Sequence, residues 1–255
     1  MLLVIDIGNT NIVFGLFSAG ELTGDFRLET VPGRSAAEYE AMLLAELTRR
    51  KLGCDAVQGI AMASVVPKLD AVIAATCTKL FNRKPFMVDA KTQTGIKISY
   101  ETPDTLGADR IVNAVAAYEH FKSAAIAIDM GTATTFDYVD GQGFYRGGAI
   151  APGIVTAAEA LFQKAAKLPR IELAYPERII GRSTAESMQS GIVAGYASMV
   201  EGMIDRMKAE SGSGARVIAT GGLARLIARH TRNIDEVDDH LLLKGLKIIY
   251  ERRAT

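Results

Sequence analysis

The sequence predicts an α/β protein whose two similar halves face each other across a cleft. Two observations lead there. Through the first half, apolar runs of strand length alternate with segments of helical periodicity, the pattern of a layered α/β structure. One unit also occurs twice: IDIGNTNIVFG at 5–15 and IDMGTATTFDY at 128–138 share an apolar strand, an aspartate, an apolar residue, a glycine, a nearby threonine and a returning strand. Repeated units signal repeated architecture, which divides the chain into halves at 1–117 and 118–255.

Each element follows from its own pattern. LLVIDI at 2–7 is a buried strand running into a Gly-Asn turn, and NIVFGLF at 11–17 is the strand that answers it. Helical periodicity covers 36–52 and stops at Gly53. A short apolar strand at 59–65, a helix over 69–80 and a strand at 85–88 follow. A helix over 107–121 puts Ile111, Val115 and Tyr118 on one face, and leads into the strand AAIAID at 124–129 and its return at 134–139. Residues 141–153 are Gly-rich and lead into a helix over 156–167. A loop over 168–183 holds Pro169 and Pro176. The long helix expected over 184–208 contains Gly191, Gly195 and Gly202, each lowering helix propensity by up to about 1 kcal/mol, which points to close packing or a kink. A strand at 216–220 ends in Gly221-Gly222. A helix opens at 223–230, and another covers 241–250.

Composition excludes several classes. Among 255 residues, 29 Lys and Arg balance 29 Asp and Glu, so no net charge draws the chain to nucleic acid or an anionic membrane. A 49% hydrophobic content is too high for disorder. Cys54 and Cys77 form no CxxC pair, which argues against a disulfide scaffold or thiolate zinc site and suits a reducing compartment. The opening apolar run meets Asp6 too early for a secretory signal, and no apolar run reaches the roughly 18 residues of a membrane span. The expectation is a cytoplasmic protein with neither nucleic acid nor membrane as partner.

Chemistry concentrates in five places. Asp6 ends a buried strand, where a carboxylate needs a cation or donors. Gly8 permits a tight turn, and the amides and side chains of Gly8, Asn9 and Thr10 suit phosphoryl oxygens, with Asp6 acting through Mg²⁺ or its water shell. The same residues also fit a plain hairpin turn with a capping Asp. Asp129, Gly131 and Thr132 repeat the pattern with more hydroxyls, and Thr132 and Thr135 are candidate phosphate donors; threonine is equally an ordinary strand residue. Two such loops could clamp a triphosphate from both ends. Gly107-Ala108-Asp109-Arg110 opens a helix, whose positive end lowers the expected pKa of Asp109 and favours an anion at Arg110. Asp109 could align an alcohol and take its proton during phosphoryl transfer, or simply stabilise the first turn. Residues 147–153 read as a specified turn, either lining a substrate or merely sharp. Gly221 and Gly222 leave a flat surface where a nucleobase or ribose could rest, or equally form a plain strand-to-helix turn.

No GxxxxGK[ST] or strand-following GxGxxG is present, which excludes a P-loop and a Rossmann dinucleotide site. His120, His230 and His240 share no zinc-binding spacing.

Six motifs in order, DIGNTN at 6–11, LGADR at 106–110, DMGTATTFD at 129–137, GGAIAPG at 147–153, GRSTAESMQSG at 181–191 and ATGG at 219–222, resemble the type III pantothenate kinases of the acetate and sugar kinase/Hsc70/actin superfamily. The resemblance implies duplicated ribonuclease-H-like (actin-like ATPase) halves and a homodimer. It implies ATP-dependent phosphorylation of pantothenate to 4′-phosphopantothenate, the first committed step toward coenzyme A. It makes Asp109 the base, Arg110 the ligand of the pantothenate carboxylate and Asp6 the Mg²⁺-associated carboxylate. Asn9, Thr10 and Thr132 become phosphate contacts, and Asp129 the site of a monovalent cation, K⁺ or NH₄⁺. Tyr100, Gly107 and Ala108 fall in the pantothenate pocket, and Thr184 is lent across the dimer. The chain departs from the family at Thr102-Pro103, where many members carry Asn before the Pro. Two rivals remain open: a noncatalytic relative acting as an accessory transcriptional regulator, and a superfamily kinase or phosphatase acting on another small substrate.

Overall fold

The computed structural model describes residues 1–165 and 167–253. Ala166, inside the helix expected over 156–167, lies outside the described residues, as do Ala254 and Thr255. Among the described residues no helix is long and apolar enough to cross a membrane.

The chain forms two compact units, one of residues 1–96, 101–116 and 242–255, the other of 97–100 and 117–241. In the first, β1 (Leu2–Ile7), β2 (Asn11–Ser18) and β3 (Glu21–Glu29) form an antiparallel meander, while β4 (Gly59–Ser64) and β5 (Phe86–Met87) add in parallel beyond β1. The sheet order is β3-β2-β1-β4-β5. Alternation along β1 sends Leu3, Ile5 and Ile7 into the core, where they join Tyr39, Leu43 and Leu47 of α1 (Ala36–Arg49) and Ile73 and Cys77 of α2 (Pro67–Phe81). Helix α1 starts sharply because Ser35 and Glu38 form a reciprocal capping box.

The second unit repeats the order. β7 (Ala125–Met130), β8 (Ala133–Val139) and β9 (Phe144–Pro152) are antiparallel in sequence, and β10 (Arg216–Thr220) and β11 (Glu236–Val237) add in parallel beyond β7. The sheet runs β11-β10-β7-β8-β9-β6, with the short β6 (Lys97–Ile98) on its edge. Ile126, Ile128 and Met130 pack under Tyr196, Val200 and Ile204 of α6 (Gly195–Ser211).

Several local expectations are corrected. The third strand of the first meander, β3, has only intermittent apolar residues and so carries no strand signal in the sequence. Residues 147–152 are strand rather than turn: Gly147 and Gly148 pair with Tyr138 and Asp137 in β9. The long helix expected from Thr184 is present and helical throughout, with one irregularity: α5 (Thr184–Gln189) runs through one π-helical turn, Ser190–Ala194, into α6. The close packing expected at the glycines is not found: a Cβ on Gly191 or Gly202 would meet nothing within 4 Å, and one on Gly195 only the Ser190 carbonyl oxygen of its own helix at 3.9 Å. The units also depart from a division at 117/118. Helix α8 (Leu241–Arg252) groups almost wholly with the first unit, where Arg252 donates to the Thr94 carbonyl at 2.9 Å and Tyr250 meets Phe86 edge-on at 6.4 Å. Helix α3 (Ala108–Phe121) begins in the first unit and ends in the second.

Candidate active site

Asp6 sits one residue before the end of β1, half-buried, and the turn behind it is tied at several points. The Gly8 amide donates to the Asn11 carbonyl at 3.0 Å, Thr30 Oγ1 donates to the Gly8 carbonyl at 2.7 Å, and the Thr30 amide donates to the Thr10 carbonyl at 2.9 Å. The Asn9 and Thr10 side chains are left exposed at the tip. A turn so braced presents its groups with little entropy left to lose. Thr30 carries no local signal in the sequence, because its role comes from the end of β3 arriving beside the turn.

The Gly107–Arg110 motif lies next to this turn through Val65. The Val65 amide donates to the Ile7 carbonyl at 3.0 Å, and a Cβ placed on Gly107 would lie 3.6 Å from Val65 Cγ1. Ala108 begins α3, with Asp109 in the first turn and Arg110 buried. The Arg110 amide donates to Asp109 Oδ1 at 2.8 Å. The expected downward shift of Asp109 is reversed. Burial pushes its carboxyl above the ordinary carboxylate value, and the Arg110 amide and guanidinium only partly oppose this. Desolvation of the charged form outweighs the helix terminus. Asp109 is thereby a better proton acceptor than a solvated aspartate. Thr102, the departure from the family motif, is exposed, and its carbonyl accepts from Thr105 Oγ1 at 2.8 Å.

In the second unit, Asp129 holds the matching place, half-buried and one residue before the end of β7. Gly131 and Thr132 are exposed in the tight turn, whose Gly131 amide donates to the Ala133 carbonyl at 3.0 Å. The Thr132 carbonyl is held from below by the Gly153 amide at 3.0 Å and Thr156 Oγ1 at 2.7 Å. The Gly221-Gly222 turn reaches the same loop. Gly221 has φ +98°, and a Cβ there would lie 2.6 Å from the Met130 carbonyl oxygen, so only glycine lets the turn approach this closely. The second loop and the Gly-Gly turn are thus one surface, with Gly222 exposed on it. On the opposite face of β8, the buried Thr134 hydroxyl is hydrogen-bonded to that of Tyr196.

The remaining candidates stand elsewhere. Tyr100 follows the edge strand β6, separated from β7 by β8 and β9, and meets Tyr145 edge-on at 5.9 Å. Thr184 is exposed in the first turn of α5, beside a hollow of ≈ 360 Å³ lined by Leu161, Leu168, Met188 and Ile192. A second hollow of ≈ 440 Å³ lies over Tyr138, Asp140, Arg146 and Glu210. Neither hollow includes the two loops, whose assignment rests on their chemistry.

Among the described residues no group of three or more His, Cys, Asp or Glu side chains could enclose a metal ion. Asp6 and Asp129 are single carboxylates, a donor set suited to ions that take their other oxygens from water, hydroxyls or phosphate. Cys77 is buried, which pushes its thiol up to about 12 and removes it as a nucleophile.

The comparisons with known proteins bear on the chain as a whole. A family profile for type III pantothenate kinase matches residues 2–206. A type III pantothenate kinase from Pelobacter propionicus is 50% identical over 252 residues, 99% of each chain. Among solved structures, a Campylobacter jejuni protein described as a candidate Baf family transcriptional activator has TM-score 0.61 and 18% identity, covering 99% of this chain and 100% of its own. A candidate 2-dehydro-3-deoxygalactonokinase from Sinorhizobium meliloti has TM-score 0.59 and 12% identity, covering 99% and 96%. At such identities the two structures speak for the fold alone, an α/β fold shared with sugar kinases. The profile and the 50% identity over nearly full length go further: the chain belongs to the type III pantothenate kinase family.

Proposed function

We infer that the chain carries out ATP-dependent phosphorylation of pantothenate to 4′-phosphopantothenate, the first step of coenzyme A biosynthesis. Family membership supports the reaction. The observation that carries the chemistry is the Asp109 carboxylate, raised in pKa and set in the space that Gly107 leaves open. Asp109 orients the primary hydroxyl of pantothenate and accepts its proton as the bond to the γ-phosphorus forms and the bond to the leaving diphosphate breaks. Arg110, buried beside it, offers its fork of donors to the pantothenate carboxylate. Tyr100, Gly107 and Ala108 complete the substrate side.

The two units read as ribonuclease-H-like duplicates on the strength of their matching sheet orders. Each offers one phosphate loop: Gly8, Asn9 and Thr10 in the first, Gly131 and Thr132 in the second. Gly221 and Gly222 form the adenosine-side surface. Asp6 would hold Mg²⁺ through water, and Asp129 a monovalent cation. When bound, these ions neutralise phosphate charge. Asp6, Asp109, Arg110 and Asp129 are all present, which favours the kinase over a noncatalytic relative.

The homodimer is part of the same reading. Ile150 (65% exposed), Ile179 (62%) and Ile180 (85%) are large apolar side chains facing outward in the second unit, as an interface requires. Thr184 would serve the partner's pocket.

The test is phosphorylation of pantothenate by purified protein with ATP and Mg²⁺, followed by mass spectrometry, with K⁺ exchanged for Na⁺. 4′-Phosphopantothenate formed with K⁺ or NH₄⁺ is the expected result. Folded protein that makes none with any cation overturns the reading.

A further inference from the structure

Asp6 and Asp129 hold matching places in two sheets of matching order, yet their neighbours differ. Level with Asp6 stand Val13 on β2 and Ala63 on β4. Level with Asp129 stand Thr135 on β8 and Thr220 on β10. Residues level across adjacent strands turn their side chains to the same face. Asp6 is therefore flanked by hydrocarbon, and Asp129 by a hydroxyl on each side. The two threonines are buried, at 9% and 5% exposure. Thr134, one residue from Thr135, points to the other face and bonds to Tyr196, so its hydroxyl does not join the row.

One carboxylate between two neutral hydroxyls is the donor set of a singly charged ion. The row itself holds only oxygens and one negative charge; the next carboxylate on that face of β8, the buried Asp137, accepts from the Tyr145 hydroxyl at 2.8 Å, so the row lacks the several carboxylates that divalent sites gather. An ion that sheds water needs oxygens to replace it, and the hydroxyls provide them. In the row of Asp6, Val13 and Ala63 bring none, which suits an ion that keeps its hydration shell, as the reluctantly dehydrating Mg²⁺ does. The duplicated aspartates are thus differentiated by their cross-strand neighbours.

We propose that Thr135 and Thr220 are specificity-determining ligands that, with Asp129, take a partly dehydrated monovalent cation of the K⁺ or NH₄⁺ class. The inference rests on the reading of Asp129 as the cation-site carboxylate, and it moves Thr135 from phosphate donor to ion ligand.

The first sheet supplies the test variant. Thr135→Val with Thr220→Ala rebuilds around Asp129 the surroundings of Asp6. Two quantities are measured on the full-length protein at constant ionic strength: the KCl concentration for half-maximal phosphopantothenate formation, and the difference in melting temperature between KCl and NaCl without nucleotide or pantothenate. The expected result is a rise of about tenfold or more in half-activating K⁺, with loss of the K⁺-specific rise in melting temperature. A folded double variant that keeps both wild-type responses overturns the proposal, as does one that melts lower by the same amount in both salts with its half-activation unchanged. If the double variant does not fold, Thr220→Ala and Thr220→Ser replace it: the serine variant is expected to keep the K⁺ response and the alanine variant to lose it, and equal behaviour overturns the proposal. Asp129→Asn separates the two levels. A K⁺ response lost there but kept in the threonine variants sinks the threonine assignment alone. A response retained in Asp129→Asn, or absent from the wild type, sinks the Asp129 reading and this proposal with it.

Discussion

Gly107 leaves open the space that the Asp109 carboxylate occupies: a Cβ on Gly107 would lie 2.5 Å from Asp109 Oδ1. Only the end of a side chain stands in the way, so an added methyl would displace the carboxylate rather than unfold the helix start. Gly107→Ala is expected to lower kcat about a hundredfold, the scale of a 1 Å misplacement, with little change in melting temperature. Steady-state kinetics beside a thermal melt checks it, and a large loss of stability at normal kcat would contradict it.

Asp109→Asn separates chemistry from stability. Loss of the base should cut turnover by about 10²–10⁴-fold. Stability should move the other way. The folded-state pKa of Asp109 lies above its unfolded value, so its contribution to stability is fully present below the unfolded pKa and is lost as pH rises through the folded one. At neutral pH, above the unfolded value, that contribution is diminished in the wild type, and the amide, which does not titrate, is spared the loss. The variant should melt higher than wild type near pH 7, and the difference should vanish toward pH 3. Melting curves across that range decide it; a variant less stable at pH 7 speaks against the burial argument.

The Gly-Gly turn gives a paired test. Gly221→Ala forces a side chain into φ +98° and against the Met130 backbone, at a cost of about 2 kcal/mol or more. That corresponds to roughly 4–8 °C in melting temperature for a chain of this size. A Cβ on Gly222 meets nothing within 4 Å, so Gly222→Ala should stay within about 0.5 kcal/mol of wild type. Equal melting temperatures for the two variants would refute the close-approach argument.

Ile179 and Ile180 are exposed on the segment before α5. If they cover one another's subunit in a homodimer, Ile179→Lys with Ile180→Glu should yield monomers, and Thr184 would be lost to the partner's site. Sedimentation velocity reads the mass directly, with kcat/KM for pantothenate falling in parallel. An unchanged dimer places the interface elsewhere.

The repeated strand, aspartate and glycine turn could be read from the chain because its signals are local. Alternation along LLVIDI and AIAIDM, and the turns after Asp6 and Asp129, depend on neighbours in sequence. So do the start of α3 at the GADR motif and the end of β10 at Gly-Gly. The strand β3, the two-residue β6 and β11, and the membership of α8 in the first unit left no such signal, since each is made by pairing or packing with residues far away in sequence. Burial of Asp109, which overrides the helix terminus, is also set by distant segments. So is the difference between Asp6 and Asp129, whose local sequences look alike. Register alone places Val13 and Ala63 beside one and Thr135 and Thr220 beside the other, and register belongs to the assembled sheet because a cross-strand neighbour is chosen by hydrogen bonding between segments.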